Sequence, residues 1–205
     1  MPGGEDVVAR ARAGDPRAFQ QLFRLHRQAV ARLAARMLGP AQRSEVEDLV
    51  QEVFLQVHRS LAEFRGQAKF TTWLYRITLN VALMHRRARL SRPQYAEEEQ
   101  GFTTADGAPL PDEQTARNRR VRAFHALLNR LSDKKREVFI LHELEGMTPS
   151  DISELVGAPV LTVRTRLFYA RQELAALIAQ DPALESLAAG FERRPRARSS
   201  ERSPA

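Results

Sequence analysis

LSDKKREVFILHELEGMTPSDISELVGAPVLTVRTRLFYARQEL, residues Leu131–Leu174, is the stretch that decides the fold. Ser132 stands at the head of an apolar-periodic run that reaches Leu144 and stops at Gly146, the pattern of one capped helix. Thr148-Pro149-Ser150-Asp151 then combines a cap, a proline at the first helical position and an acid in the first turn. A new helix carrying Ile152 and Leu155 therefore starts there, and it ends at Gly157. After a short turn through Pro159, a longer helix turns Val163, Leu167, Ala170, Leu174 and Ile178 inward. A very short helix, a tight glycine-containing turn and a longer helix spell a helix-turn-helix.

The long helix leaves Thr162, Arg164, Thr165, Arg166, Phe168, Tyr169 and Arg171 outside its apolar face. Arg164, Phe168 and Arg171 lie along one stripe, with Thr165 and Tyr169 beside it. Arginine forks match guanine edges and phosphates, hydroxyls match phosphates, and an aromatic ring meets thymine methyls. The competing reading is a solvated basic face on a structural helix. The preceding cap, turn and proline favour DNA.

Composition points the same way. The chain of 205 residues is 43% hydrophobic and 28% charged, which suits a helical globular protein and excludes fibrous or wholly disordered classes. Thirty-two basic residues against 25 acidic ones leave a net charge of +7. Lys69, Lys134 and Lys135 are the lysines, so the excess is arginine, whose planar fork suits phosphate and base contacts. The absence of cysteine excludes disulfides, thiolate zinc sites and cysteine nucleophiles, and it permits a reducing cytoplasm. No basic segment followed by an apolar run opens the chain, and no charge-free stretch approaches the ~18 apolar residues of a membrane span. The expectation is a cytoplasmic protein that does not insert into a membrane.

Two ordered blocks emerge. In the first, Val46, Leu49, Val50, Val53, Phe54, Val57, Leu61 and Phe64 recur at spacings of three and four, one apolar stripe on a long helix with Ser44 and Glu47 as a capping box. Ala18, Phe19, Leu22, Phe23, Val30, Leu33, Ala34 and Met37 give another helix, ended by Gly39-Pro40; a third starts near Thr71 with Trp73, Ile77, Val81 and Met84 on its apolar side. Complementary stripes make a bundle. The second block opens with Val121, Phe124, Leu127, Leu128 and Leu131. The division is 1–92 for the first block, 93–117 for a linker, 118–181 for the second block and 182–205 for a tail. The linker carries Glu97, Glu98, Glu99, Asp106, Asp112 and Glu113, and desolvation argues against burying it in a core. The tail, with Arg193, Arg194, Arg196, Arg198 and Arg202 and no apolar periodicity, reads as disordered. The fold class is all-α, with a helix bundle and a helix-turn-helix domain joined by an acidic flexible linker.

The segment Leu131–Leu174 resembles the carboxy-terminal promoter-reading domain of bacterial sigma factors, above all the extracytoplasmic-function (ECF) group of the sigma-70 family. DLVQEVFLQVHRSL (Asp48–Leu61) and FRGQAKFTTWLYRITLNVALMHRR (Phe64–Arg87) are similar to that group's amino-terminal domain, in its order and spacing. The resemblance implies that Asp48, Gln51 and Glu52 bind the clamp helices of the RNA polymerase β′ subunit. Carboxylates and an amide within one turn can pair with arginines of a partner helix, which is the physical side of that expectation. The second block would contact the β flap and the minus-thirty-five element, and an anti-sigma factor becomes an expected partner.

The resemblance also implies that the loop Phe64–Phe70 captures a base flipped from the non-template strand of the minus-ten element, with Phe64 and Lys69 at the site. On the next helix Arg76, Asn80 and Arg87 are expected to share a DNA-facing stripe opposite Ile77 and Val81, because asparagine in mid-helix has poor propensity and can hydrogen-bond bases. Trp73 is expected in the core. The linker would thread the polymerase active-site cleft and RNA exit path, its carboxylates mimicking RNA. The sequence departs from the family where primary sigma factors carry an aromatic pair that wedges DNA open, since Arg76 and Ile77 stand there. Leu161 stands where glycine is expected and Tyr169 where a base is common, so the minus-thirty-five preference does not transfer.

No catalytic residue, metal or cofactor is expected. The sequence holds no phosphate-cradling G-x-x-x-x-G-K-[ST], no G-x-G-x-x-G and no G-x-S-x-G, and His26, His58, His85, His125 and His142 are scattered. A nucleic-acid-processing enzyme would need an acid or metal cluster. The nearer alternative is a stand-alone helix-turn-helix regulator whose first block only dimerises or senses a ligand.

Overall fold

The computed structural model describes residues 4–91, 112–180 and Leu184, and among them it contains eight α-helices and no strand. The first, α1 (Gly4–Arg12), sits in the glycine- and proline-rich start and has no expected counterpart; it buries Val7 and Ala11. Asp15 then starts α2 (Pro16–Leu38): its carboxylate accepts the backbone N–H groups of Arg17 at 2.8 Å and Ala18 at 3.2 Å, with Pro16 at the first helical position. The helix ends at Gly39, whose φ of 89° lies in a region that suits glycine.

Pro40–Glu45 forms 3-10 turns that lead into α3 (Val46–Ser60). The capping box expected of Ser44 and Glu47 is not formed. Ser44 lies inside the 3-10 segment, Glu45 occupies the cap position without a side-chain bond, and Glu47 instead pairs with Arg27 at 2.7 Å. A final 3-10 turn, Leu61–Glu63, carries the stripe on to Leu61. Helix α4 (Phe70–Ser91) follows the exposed loop. Helices α2, α3 and α4 pack Val30, Leu33, Leu49, Val53, Val57, Leu74 and Leu79 into one core.

The second block is α5 (Asp112–Arg130), α6 (Asp133–Phe139), a π-helical turn at Ile140–Leu144, α7 (Pro149–Val156) and α8 (Val160–Ile178). Helix α5 begins inside the segment expected as linker, at Asp112; residues 92–111 and most of the tail lie outside the described residues. Ser132 is at the cap of α6 but makes no side-chain cap bond. Ile152, Leu155, Val163, Leu167, Leu174 and Ile178 are buried, as the periodicity of α7 and α8 requires. The buried residues of both blocks form one contiguous cluster, so the two halves pack against each other.

Candidate nucleic-acid interface

The helix-turn-helix is built by local hydrogen bonds. Thr148 accepts the Asp151 backbone N–H at 3.2 Å, while the Asp151 carboxylate accepts the Thr148 N–H at 3.2 Å and hydroxyl at 2.7 Å. These bonds from Thr148, side chain first, hold the Asp151 carboxyl below its ordinary value, with a smaller pull from the Lys69 charge. Gly157 closes α7 with φ 65°, and Ser153 Oγ donates to the Ala158 carbonyl at 2.7 Å across the turn.

The turn presents α8 with Arg164, Thr165, Phe168, Tyr169 and Arg171 exposed and Thr162 and Arg166 half-buried. Leu161, at 75% exposure, stands one turn before Thr165. Phe168 and Tyr169 form an edge-on pair with ring centroids 5.4 Å apart, an aromatic platform on the outer face. Thr165 Oγ1 donates to the Leu161 carbonyl at 2.9 Å, so its hydroxyl proton is committed within the helix. Arg171 is tethered: Nε donates to Glu143 Oε1 at 2.8 Å. Arg166 lies near the Glu137 carboxyl, which burial raises above its usual range.

In the first block Asp48, Gln51 and Glu52 all stand exposed on neighbouring turns of α3. Asp48 and Glu52 border a groove of about 700 Å³ between α3 and α4, floored by Leu49, Ile77, Val81 and the exposed Met84. Asn80 lines this groove as well, beside Ile77 and Val81. Arg76 and Arg87 go elsewhere, so the single stripe expected on α4 is divided: they reach across to the second block. Arg76 Nε donates to the Leu155 carbonyl at 3.0 Å, and Arg87 Nε donates to Asp133 Oδ2 at 3.1 Å.

Phe64 is half-buried in an aromatic cluster, its centroid 5.0 Å from Trp73 and 5.9 Å from Phe70. Trp73 packs against the core. The segment 65–69, including Lys69, is exposed, and Gly66 at φ 71° supplies its bend.

Sequence reasoning missed Arg36, Arg86, Asp133, Arg136 and Glu145, which meet where the blocks touch. Arg136 is the one with a legible signal. It sits in the apolar run EVFIL's own helix, one turn before Ile140, where an arginine is out of pattern. Among the described residues, no group of three His, Cys, Asp or Glu side chains is placed to hold a metal ion, and no helix is long and apolar enough to cross a membrane.

Residues 22–92 match the family description Sigma-70 region 2, and residues 121–174 match Sigma-70, region 4. The RNA polymerase sigma-H factor of Pseudomonas aeruginosa is 34% identical over 177 residues, covering 83% of this chain and 91% of that protein. The ECF RNA polymerase sigma-E factor of Haemophilus influenzae is 34% identical over 175 residues, covering 81% and 90%. Among solved structures, CnrH in complex with the cytosolic domain of CnrY superposes with a TM-score of 0.60 at 28% identity, covering 85% of this chain and 96% of that one. The sigma factor RpoE of Bartonella quintana, in complex with the anti-sigma factor NepR, shares the fold with a TM-score of 0.55 at 24% identity, covering 80% and 98%. A two-block helical protein with a capped helix-turn-helix is thus the class that the fold defines. The chain belongs to the sigma-70 family of RNA polymerase sigma factors, in the ECF group.

Proposed function

We propose that this chain binds core RNA polymerase through the exposed face of α3 and directs it to a small promoter set. Asp48, Gln51 and Glu52 would meet the β′ clamp helices, and the second block would meet the β flap while α8 reads an upstream promoter element. The loop Phe64–Phe70 and the α4 side chains Arg76, Asn80 and Arg87 would hold the melted strand. The observation that carries this reading is the union, in one chain, of an exposed acid-amide patch on α3 with a capped helix-turn-helix whose outer face is basic and aromatic. Carboxylates pair with a protein's arginines, whereas arginines and an aromatic platform pair with DNA.

The chemistry of RNA synthesis belongs to the polymerase. This chain supplies binding energy for the melted promoter and contributes no catalytic group, metal or cofactor. Its site of action is the cytoplasm, where its polymerase and promoters are. An anti-sigma factor is the further expected partner, and the relative CnrH, solved on the cytosolic domain of CnrY, supports that expectation. A stand-alone regulator is not favoured, because region 2 and region 4 both match in order. The test is in vitro transcription with core polymerase on genomic DNA fragments, mapping start sites. Discrete starts that depend on the added chain support the proposal; transcripts no different from core alone refute it.

A further inference from the structure

Helix α1 lies ahead of residues 22–92, the segment that matches Sigma-70 region 2, yet it is anchored to the loop that precedes α4. Val7 and Ala11, one turn apart, are buried against Ala18, Leu22 and Leu61, and Phe64, Phe70 and Trp73 pack onto the same cluster. The two aromatic residues that bound the loop, Phe64 and Phe70, therefore rest on a floor to which α1 contributes. One carboxylate fixes the join between α1 and α2: Asp15 Oδ2 accepts Arg10 Nε at 3.1 Å and Nη2 at 2.7 Å, while Oδ1 caps α2.

From the last turn of α1, Arg12 Nη1 donates to the Phe64 carbonyl at 3.2 Å, a bond between residues 52 positions apart. The Phe64 N–H donates to the Leu61 carbonyl at 3.1 Å, so both backbone groups of Phe64 are held where the loop begins. At the other end the Lys69 carbonyl accepts the Trp73 N–H at 3.1 Å. Between these anchors residues 65–69 stand exposed.

We infer that α1 is part of the strand-capture site and that Arg12 is a positioning residue, acting through the Phe64 carbonyl to hold the mouth of the loop in the shape that accepts an unpaired base. The inference rests on the proposed role of the loop in holding the melted strand. A flipped base pays the cost of unstacking, so a loop that must also be ordered on binding captures it weakly. Fixing the loop beforehand removes that second cost. A guanidinium serves here because its charge strengthens the bond to a neutral carbonyl and its planar fork keeps the donor aimed. Arg12 is itself exposed, and the buried contribution of α1 comes from Val7 and Ala11, so the loop can lose this tether while the helix stays packed.

Holoenzyme made from core polymerase and the full chain is titrated with a fluorescent fork junction cut from a promoter mapped as above. The same fork is then made with an abasic site at each unpaired non-template position in turn. In the wild type one abasic position should weaken binding, because the captured base is gone. Arg12→Ala should weaken binding of the intact fork about fivefold, the scale of one hydrogen bond, and should cost nothing further on the fork that is abasic at that position. Arg12→Lys keeps a donor and should recover most of the loss. Wild-type affinity of Arg12→Ala for the intact fork would overturn the role of Arg12 and leave base capture standing. An equal loss on the intact and abasic forks would overturn it too, since a direct phosphate contact or a general disturbance of the fold acts on both. If no abasic position weakens the wild type, base capture by the loop is refuted first, and the positioning role falls with it.

Discussion

Asp48 and Asn80 face one groove from opposite helices, α3 and α4, although one is expected at the polymerase and the other at DNA. The pairing makes a sharp prediction. Asp48→Lys or Glu52→Lys should weaken core polymerase binding by about 1.5–3 kcal/mol, the range for hydrogen bonds to charged groups. Asn80→Ala sorts the groove: if Asn80 serves DNA, permanganate reactivity of the melted strand falls while core affinity, read by fluorescence anisotropy, stays at the wild-type value. A core affinity that falls with Asn80→Ala would assign Asn80 to the polymerase side.

Arg164 and Arg171 should separate on α8. Arg164 stands exposed, so Arg164→Ala should cost about 1–3 kcal/mol of upstream-element binding if it reads a base edge. Arg171 is already paired with Glu143, and its release from that pair offsets part of any DNA contact, so Arg171→Ala should cost less. Footprint titrations of holoenzyme on the upstream element measure both. Wild-type binding by Arg164→Ala would remove that residue from the reading face.

The reciprocal cap at the start of α7 should matter for folding. Thr148→Ala is expected to lower stability by about 1 kcal/mol, the usual cost of removing such a cap. Gly39→Ala should cost more than about 1 kcal/mol, since φ there is 89° and an added Cβ would come within 3.1 Å of His125 Nδ1. Urea denaturation checks both; unchanged midpoints would contradict the local geometry.

Stability should fall in mild acid. Burial holds the imidazoles of His26 and His125 below their ordinary value of 6.5, and the nearby Arg136 charge adds to the effect at His125. The unfolded chain therefore takes up protons first. The contribution of these neutral imidazoles is complete above about pH 6.5 and declines as pH drops through that value toward the lowered folded values. Glu137, raised by burial, acts in the opposite sense nearer its own range. Urea midpoints at pH 7.5 and 5.5 should differ in wild type, and the difference should shrink in His26→Gln and His125→Gln. Equal slopes in all three chains would show that neither histidine is the cause.

Much of this was legible in the sequence because it is local or periodic. The Thr148-Pro149-Ser150-Asp151 start and the Gly157 stop form as read, and the stripes of α3 and α8 bury the residues their spacing selects. Helix α1 escaped notice because its buried contribution, Val7 and Ala11, is small and lies between glycines. Ser44 misled because Pro40 sets a 3-10 segment that carries the chain past it before α3 begins. Apart from Arg136, out of pattern in its apolar run, the arginines between the blocks were not legible, since their partners are chiefly backbone carbonyls at helix ends, which any sequence supplies. That same feature gives part of the arginine excess a structural use within the chain, beside the expected one on nucleic acid.

The central claim, that one chain delivers polymerase to a promoter through separate protein and DNA faces, is tested most directly by binding a fluorescent promoter fragment to core polymerase, to this chain, and to the two together. The account predicts specific, salt-resistant binding only by the combination, lost with Glu52→Lys on the protein face and weakened with Arg164→Ala on the DNA face. Binding of the fragment by this chain alone, as tight and as specific as with polymerase present, would contradict it.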